Sequence, residues 1–152
     1  MNGAASFSVS PLAASDYEDW LPLWTAYLTF YKTTVTEDIS RLTFDRLLSD
    51  SEPMGAFIAR DTNGNAIGIV HWISHRSTWT AGNYCYLQDL FTSEDARGKG
   101  VGRALIEAVY DAARKLACAR VYWLTHETNT QAMALYDNVA DRPGFLQYRK
   151  VL

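Results

Sequence analysis

The sequence has few cysteines, no long apolar run and no strong excess of charge of one sign. Its 152 residues include two cysteines, Cys85 and Cys118, which do not form a CxxC motif. Such isolated thiols are typical of reducing compartments, so we expect two buried thiols and a cytoplasmic protein. No apolar run approaches about 18 residues, and the N-terminus lacks a basic flank before an apolar core. We therefore expect neither a membrane span nor a secretory signal.

The charge balance argues against polyanionic partners. The formal net charge is −3 at pH 7, and the sequence pI is about 5.5. We therefore expect no dedicated binding of nucleic acid or of anionic membranes. The acidity is compatible with cationic substrates, although surface acidity usually serves solubility. With 48% hydrophobic and 20% charged residues, the chain can bury a core, and its length predicts a single domain over residues 1–152.

Helical and strand-like patterns alternate along the chain. The predicted helices span residues 16–31, 37–49, 100–117 and 129–140. The predicted strands span residues 7–12, 57–59, 66–73, 83–92, 120–125 and 144–152. This mixed order predicts an α/β or α+β sandwich, in which about four helices flank a mostly antiparallel sheet of about six or seven strands.

A glycine-rich loop joins the strand that ends near Thr92 to the third helix. Its glycines occupy alternate positions, Gly98, Gly100 and Gly102. A helix N-terminus has unpaired N–H groups and a partial positive charge, and glycine lets further N–H groups approach a ligand. The pattern favours a phosphate seat, with a tight turn between solvated cations as the structural alternative.

Two common nucleotide motifs do not fit this loop. The ATPase phosphate loop needs a Gly-Lys-Ser/Thr end, which is missing here. The dinucleotide fingerprint Gly-x-Gly-x-x-Gly would need a glycine at Arg103 and an early βαβ unit, whereas this loop lies two-thirds along the chain.

Three segments together resemble the GNAT family of N-acetyltransferases. Residues 97–102 (RGKGVG) resemble the family's Gln/Arg-x-x-Gly-x-Gly/Ala signature, and residues 86–92 (YLQDLFT) resemble its central strand. Residues 129–136 (NTQAMALY) match the family's Asn-x-x-Ala-x-x-Leu/Phe-Tyr helix, and Gly144-Phe145 match the start of its last strand. The strand is similar to that of the spermidine/spermine, thialysine and Hpa-type acetyltransferases. The resemblance implies a GNAT fold and transfer of an acetyl group from acetyl-CoA to a primary amine.

The resemblance also implies which residues bind acetyl-CoA. Those expected around the pyrophosphate are Arg97, Gly98, Lys99, Gly100, Val101, Gly102 and Arg103. The strand residues Leu90, Phe91 and Thr92 would pair with the pantetheine arm, and an N–H near Leu90 would stabilise the oxyanion of the reaction. Asn129 would bond the pantetheine or the helix-start backbone, and a plain N-cap is an equally good interpretation.

Tyr136 and the pair Gln88-Asp89 carry the expected proton transfers. Tyr136 matches the family tyrosine that protonates the departing thiolate, and a core tyrosine is the alternative. Gln88 stands where close relatives carry glutamate, and glutamine cannot accept a proton at neutral pH. Asp89 is the nearest carboxylate, although strand alternation puts it on the face opposite Gln88. Water ordered by Gln88 is the other candidate for the proton acceptor.

The acceptor side and the histidines give weaker signals. The stripe Trp20, Trp24, Tyr27 and Tyr31 has the spacing of a core, but the resemblance places the first helix beside the acceptor. The substrate candidates are therefore Tyr27, Tyr31, Glu37, Trp72 and Gln88. His71 and His75 lie roughly 13 Å apart along a strand, too far to share a metal ion. We expect no metal and no triad, and His126 is a candidate proton relay.

The sequence leaves the acceptor open among polyamines, amino acids, protein lysines and amino-sugars. By resemblance we expect a homodimer that pairs through the C-terminal strands. The alternative to an enzyme is a non-catalytic acyl-CoA-binding or sensor domain, which would not need Tyr136.

Overall fold

The computed structural model describes residues 6–152. Its strands are β1 (Phe7–Pro11), β2 (Met54–Asp61), β3 (Ala66–His75), β4 (Tyr84–Thr92) and β5 (Arg120–Tyr122). Its helices are α1 (Tyr17–Phe30), α2 (Glu37–Leu48), α3 (Val101–Lys115) and α4 (Thr130–Val139). The strands form one sheet in the order β1-β2-β3-β4-β5. Strands β1 to β4 pair antiparallel and β5 pairs parallel to β4. The predicted mixed, mostly antiparallel fold with four helices is confirmed.

The sheet has five strands, fewer than predicted, because residues 144–152 do not join it. Residues 140–152 have no regular structure and are exposed, including the apolar Phe145 and Leu146. A strand needs a neighbour to pair its N–H and C=O groups. Strand β5 is also shorter than predicted, since it has three residues and the predicted span is 120–125. The prediction of a closing strand over residues 144–152 is therefore wrong for the single chain.

The two faces of the sheet are covered by different helices. On one face, Trp20 of α1 and Phe44 of α2 pack with Ile69 of β3. On the other face, Leu105 of α3 packs with Val70 of β3. Helix α4 lies on the α3 side, where its residues Leu135, Tyr136 and Val139 pack against the second cluster. The core therefore forms two layers, and α1 and α4 stand on opposite faces of the sheet.

The two thiols differ in burial. Cys85 is fully buried in β4, and Cys118 is half-buried after α3. Burial raises the pKa of the Cys85 thiol to about 12, so this side chain behaves as a small apolar core residue. The prediction of two buried thiols holds for Cys85 and overstates the burial of Cys118. Within residues 6–152, the helices are too short or too polar for any of them to cross a bilayer.

Candidate active site

A cavity of about 510 Å³ lies beside the C-terminal half of β4. This volume is typical of sites for small molecules, which measure about 300–1,000 Å³. The predicted site residues that line it are Leu90, Phe91, Thr92, Arg97, Gly98, Gly100, Val101, Gly102, Arg103, Asn129, Tyr136, Tyr27 and Tyr31. The structure therefore brings the glycine loop, the end of β4, α4 and the end of α1 to one place.

The cavity exists because β5 covers only part of β4. Strand β5 pairs with residues Tyr84–Tyr86, whereas β4 continues to Thr92. In the sheet of the described residues, the segment 87–92 therefore has a strand neighbour only on its β3 side. Its other edge can pair with an extended ligand in the way that one strand adds to another.

The glycine loop presents uncovered backbone at the N-terminus of α3. Gly98 and Gly100 have φ angles of +77° and +86°, which glycine adopts without steric cost. A Cβ atom on either residue would meet no atom within 4 Å, so a ligand can approach this backbone closely. Arg97 and Arg103 line the same cavity. Free N–H groups, the helix dipole and two guanidinium groups fit the pyrophosphate of acetyl-CoA.

Helix α4 contributes Tyr136 and Asn129. The Tyr136 ring packs edge-on against Trp123, with 5.4 Å between the ring centroids. Burial, followed by the nearby Tyr31, raises the pKa of Tyr136 to about 12, so the phenol keeps its proton at neutral pH. The Asn129 side chain does not cap α4. Its Nδ2 donates to Thr125 Oγ1 at 3.2 Å, which holds the amide at the cavity wall and removes the plain N-cap interpretation.

A β-bulge at Gln88 changes the direction of the residues that follow. His71 of β3 pairs with Asp89, but Trp72 pairs with Leu87, which leaves Gln88 as the extra residue. Leu87 packs on the α3 side, whereas Asp89 bonds His71, which contacts Trp20 on the α1 side. Strict alternation would place Leu87 and Asp89 on one face. Strict alternation along β4 therefore fails between Leu87 and Asp89, at the bulge. The prediction that Gln88 and Asp89 lie on opposite faces stays a prediction.

Asp89 is buried, and its side-chain hydrogen bond is to His71. Its Oδ2 lies 2.9 Å from His71 Nδ1, and Tyr27 is near enough for the carboxylate to affect its pKa. Burial first, and Asp89 second, raise the pKa of Tyr27 far above its ordinary value. Burial and then Asp89 raise the pKa of Tyr31, whereas burial, then Tyr122 and then Asp89 raise the pKa of Tyr86. Asp89 itself is not part of the cavity wall.

The aromatic stripe of α1 divides into core and cavity. Trp20 and Trp24 are buried between α1 and the sheet. Tyr27 and Tyr31 line the cavity together with Phe30. Both interpretations of the stripe therefore apply, each to a different turn of the helix.

Several candidate residues do not line the cavity. Gln88 and Lys99 are exposed beside it, and Glu37 is exposed in the first turn of α2. The Trp72 ring packs over Gly55 and belongs to the cluster on the α3 side. His126 is exposed, and its Nδ1 bonds Thr128 Oγ1 at 2.7 Å. In the part of the chain that the structure describes, no group of three or more His, Cys, Asp and Glu side chains could hold a metal ion.

Other residues of the site were missed by sequence reasoning. Phe30, Gln131, Ala132 and Leu135 line the cavity, and helical spacing from Tyr27 and Tyr136 could have found them. The pair His71–Asp89 could not be found in this way, because it depends on the register of β3 against β4 and on the bulge.

Comparisons with known proteins agree with this architecture. The family model described as Acetyltransferase (GNAT) family matches residues 17–139. A D-amino-acid N-acetyltransferase of Saccharomyces cerevisiae is 36% identical over 143 residues, which is 93% of this chain and 89% of the relative. The chain belongs to the GNAT family of acetyltransferases. A thialysine N-epsilon-acetyltransferase of Caenorhabditis elegans is 35% identical over 63 residues, which is 41% of this chain and 39% of the relative.

Solved GNAT structures share the fold. A ribosomal-protein-alanine N-acetyltransferase from Brucella melitensis biovar Abortus 2308 superimposes with a TM-score of 0.80 at 21% identity, over 96% of this chain and 99% of the other. The enzyme AAC(6')-Iy, solved with a CoA bisubstrate analogue, gives a TM-score of 0.81 at 18% identity, over 96% of this chain and 99% of the other. The predicted family and the prediction of an N-acetyltransferase are both confirmed.

Proposed function

We propose that this GNAT enzyme transfers an acetyl group from acetyl-CoA to a primary amine by direct attack, without a covalent acyl-enzyme. The observation that supports this proposal is the single cavity that joins the glycine loop, the unpaired half of β4, Tyr136 and the end of α1. A sensor domain would need the loop and the strand edge, but it would have no use for a protonated phenol at the same place.

On the donor side, acetyl-CoA supplies an acetyl group activated as a thioester. The N–H groups around Gly98 and Gly100 bind the pyrophosphate, with Arg97 and Arg103 at the rim. Lys99, exposed in the same loop, adds positive charge nearby. The unpaired edge at Leu90, Phe91 and Thr92 binds the pantetheine arm. The N–H of Leu90 stabilises the negative charge that develops on the thioester oxygen.

Tyr136 provides the proton for the leaving thiolate. Its pKa of about 12 lies above that of a thiol, which is about 8.5. Full proton transfer is therefore uphill before the reaction, and the phenol acts first as a hydrogen-bond donor. As negative charge builds on sulfur in a dry site, the proton moves along this bond.

On the acceptor side, Asp89 takes up the proton of the attacking amine by way of Tyr27. An alkyl amine has a pKa of about 10.4, so only about one molecule in a few thousand is neutral at pH 7. Tyr27 lines the cavity, and Asp89 is near enough to contribute to the raised pKa of its hydroxyl. The amine gives a proton to the Tyr27 oxygen while Tyr27 gives its own proton to Asp89. Gln88 is not part of this path, because glutamine is not a base.

The acceptor is a small molecule with a primary amine, or a lysine side chain. Tyr27, Phe30 and Tyr31 offer aromatic faces to an ammonium group, and Asp89 is near enough to affect the pKa values of the two tyrosines. Relatives are named for a D-amino acid, L-ornithine and thialysine, all of which carry amino groups. We expect an amino acid of this kind to be acetylated more efficiently than an amino-sugar.

The test is an acceptor panel with acetyl-CoA and detection of the free thiol. The panel contains D- and L-amino acids, ornithine, thialysine, polyamines, a lysine peptide and an aminoglycoside. Thiol release that depends on one acceptor class supports the proposal and names the acceptor. Acetyl-CoA binding without thiol release for every amine would instead support the sensor alternative.

We also propose that two copies of this single domain, residues 1–152, form a cytoplasmic homodimer through residues 144–152. In this segment Phe145 and Leu146 are each 82% exposed, and Val151 is also 82% exposed. A second copy would cover these side chains and pair their backbone. Light scattering at micromolar concentration should give a dimer mass, and Leu146→Asp should give a monomer. A monomer mass for the unchanged protein would reject the dimer.

A further inference from the structure

A chain of buried hydrogen bonds leads from α1 to Asp89. The Trp20 Nε1–H donates to His71 Nε2 at 3.0 Å, and His71 Nδ1 lies 2.9 Å from Asp89 Oδ2. Trp20 and His71 are 0% and 2% exposed, and Asp89 is 9% exposed. None of these three side chains lines the cavity, so Trp20 and His71 can affect the reaction only through their neighbours, and the hydrogen bonds lead to Asp89.

The indole determines which nitrogen of His71 carries the proton. Tryptophan has a donor and no acceptor at Nε1. His71 Nε2 must therefore accept, and the neutral ring carries its hydrogen on Nδ1. That hydrogen points at Asp89 and donates to its carboxylate. A His71 protonated on both nitrogens would place two N–H groups against each other at Trp20.

The direction of the donors separates orientation from proton transfer. Both hydrogen bonds point toward Asp89, and the chain ends at Trp20 Nε1, which has no lone pair to take up a proton. A proton received by Asp89 therefore has no exit through His71 and Trp20 and must leave on the cavity side. The two buried residues can hold the carboxylate in place, but they cannot carry its proton away.

Three tyrosines are near enough to Asp89 for its charge to affect their pKa values. Tyr27 comes from α1, Tyr31 follows α1, and Tyr86 lies on β4 itself, and Asp89 raises the pKa of each in addition to the effect of burial. Tyr27 and Tyr31 line the cavity. The carboxylate is thus bonded to His71 and lies near two tyrosines of the cavity wall.

We propose that His71 and Trp20 are positioning residues, which fix the Asp89 carboxylate so that it can accept the amine proton through Tyr27. This inference rests on the proposed role of Asp89. The mechanical reason is that a carboxylate with one oxygen bonded at a fixed angle cannot rotate away from Tyr27. The bulge at Gln88 belongs to the same arrangement, because it turns Asp89 toward His71.

Two substitutions of His71 separate positioning from packing. The amide nitrogen of Asn overlaps the Nδ1 position, so His71→Asn can still donate to Asp89 but loses the bond from Trp20. The longer side chain of Gln reaches the Nε2 position, so His71→Gln keeps the Trp20 bond and loses the Asp89 bond. Each variant therefore loses one hydrogen bond of the chain.

We expect His71→Asn to keep kcat within about threefold of wild type, and His71→Gln to lower it about 10- to 100-fold, the effect of losing a hydrogen bond to a charged group. The KM for acetyl-CoA should stay constant in both. Equal kcat values for the two variants, or kcat losses that follow Tm, would overturn the inference.

Asp89→Asn distinguishes a failure of the proposed role of Asp89 from a failure of the positioning role of His71 and Trp20. If Asp89→Asn is fully active, the role of Asp89 fails and the inference with it. If Asp89→Asn is inactive while the two His71 variants are equal, the inference alone fails.

A second measurement is decided on the wild-type protein. The ¹⁵N spectrum of histidine-labelled wild-type protein, assigned with His71→Asn, reports which ring nitrogen of His71 is protonated. We expect a proton on Nδ1 and a bare Nε2, and in Trp20→Phe a mixture of tautomers. A wild-type His71 protonated on Nε2 would overturn the proposal whatever the kinetics show.

Discussion

The donor side and the acceptor side of the cavity are built in different ways. On the donor side, the groups that we assign to acetyl-CoA come from continuous segments, namely the end of β4, the loop 97–103 and residues 129–136. On the acceptor side, Tyr27, His71 and Asp89 come from α1, β3 and β4 and meet only when the sheet has formed. A local motif therefore describes the first side, whereas the second depends on the register of two strands.

The two sides also differ in what a substitution disturbs. In the loop, Gly98 and Gly100 face open space, so a side chain added there meets the ligand and no other part of the described protein. The polar atoms behind the acceptor side are buried and bonded to one another, and removal of one partner leaves another unpaired, at a cost of about 1–3 kcal/mol. Variants on the acceptor side must therefore be compared at known Tm.

The largest effect is expected at Tyr136, where the two sides meet. Tyr136→Phe removes the proton donor, so kcat should fall about 10²- to 10⁴-fold. Among the described residues the hydroxyl has no hydrogen-bond partner to leave unpaired, and the ring contact with Trp123 remains. Tm and the Kd for acetyl-CoA should therefore stay close to wild type in single-turnover and calorimetric measurements.

A parallel loss of Tm and acetyl-CoA affinity would show that Tyr136 is a core residue. Unchanged single-turnover rates, in which product release plays no part, would remove Tyr136 from the mechanism.

The next effect tests the acceptor side at Asp89. Asp89→Asn keeps the size of the side chain but cannot accept a proton, so we expect kcat to fall about 10²-fold or more. Gln88→Ala is the neighbouring control, because Gln88 is exposed and lies outside the cavity wall. Gln88→Ala should change kcat by less than about threefold. If water ordered by Gln88 accepted the proton, the same variant should lower kcat strongly.

Gln88→Glu separates the two candidate proton acceptors further. If water near Gln88 accepts the proton, a carboxylate there should raise activity and extend it to lower pH. If Asp89 accepts it, as proposed, the rate at neutral pH should stay near wild type. A gain in Gln88→Glu together with an active Asp89→Asn would contradict the proposal.

The donor side is tested by a bulky residue in the loop. Gly100→Val adds a branched side chain at a φ of +86°, above backbone that we assign to the pyrophosphate. The Kd for acetyl-CoA should rise at least about tenfold in calorimetry, since at least one charged hydrogen bond is lost. Gly64→Val is the matched control, because Gly64 has a φ of +84° and equally open surroundings but does not line the cavity. An equal change of Kd in both variants would indicate general backbone strain instead of a pyrophosphate site.

The contrast between the sides explains what the sequence could predict. The loop, the Asn129–Tyr136 helix and the family could be predicted because neighbouring residues carry them. The direction of Asp89 could not, because one inserted residue at Gln88 reverses the faces. The closing strand was predicted from its apolar pattern, but a pattern does not supply the neighbour that its backbone needs. Trp72 was assigned to the acceptor by resemblance, and its ring packs over Gly55 on the α3 side.

The smallest effect is expected at Glu37, which marks the outer limit of the acceptor side. Its carboxylate is exposed in the first turn of α2 and does not line the cavity. Glu37→Gln should therefore change the KM for the acceptor by less than about twofold. It should lower the free energy of unfolding by about 0.3–1 kcal/mol, since a negative charge near a helix N-terminus is favourable.

Tyr31→Leu is the comparison variant, because Tyr31 lines the cavity. Loss of its aromatic face should raise the KM for the acceptor about threefold or more. A larger KM change for Glu37→Gln than for Tyr31→Leu would extend the acceptor site to α2 and return Glu37 to the substrate-binding residues.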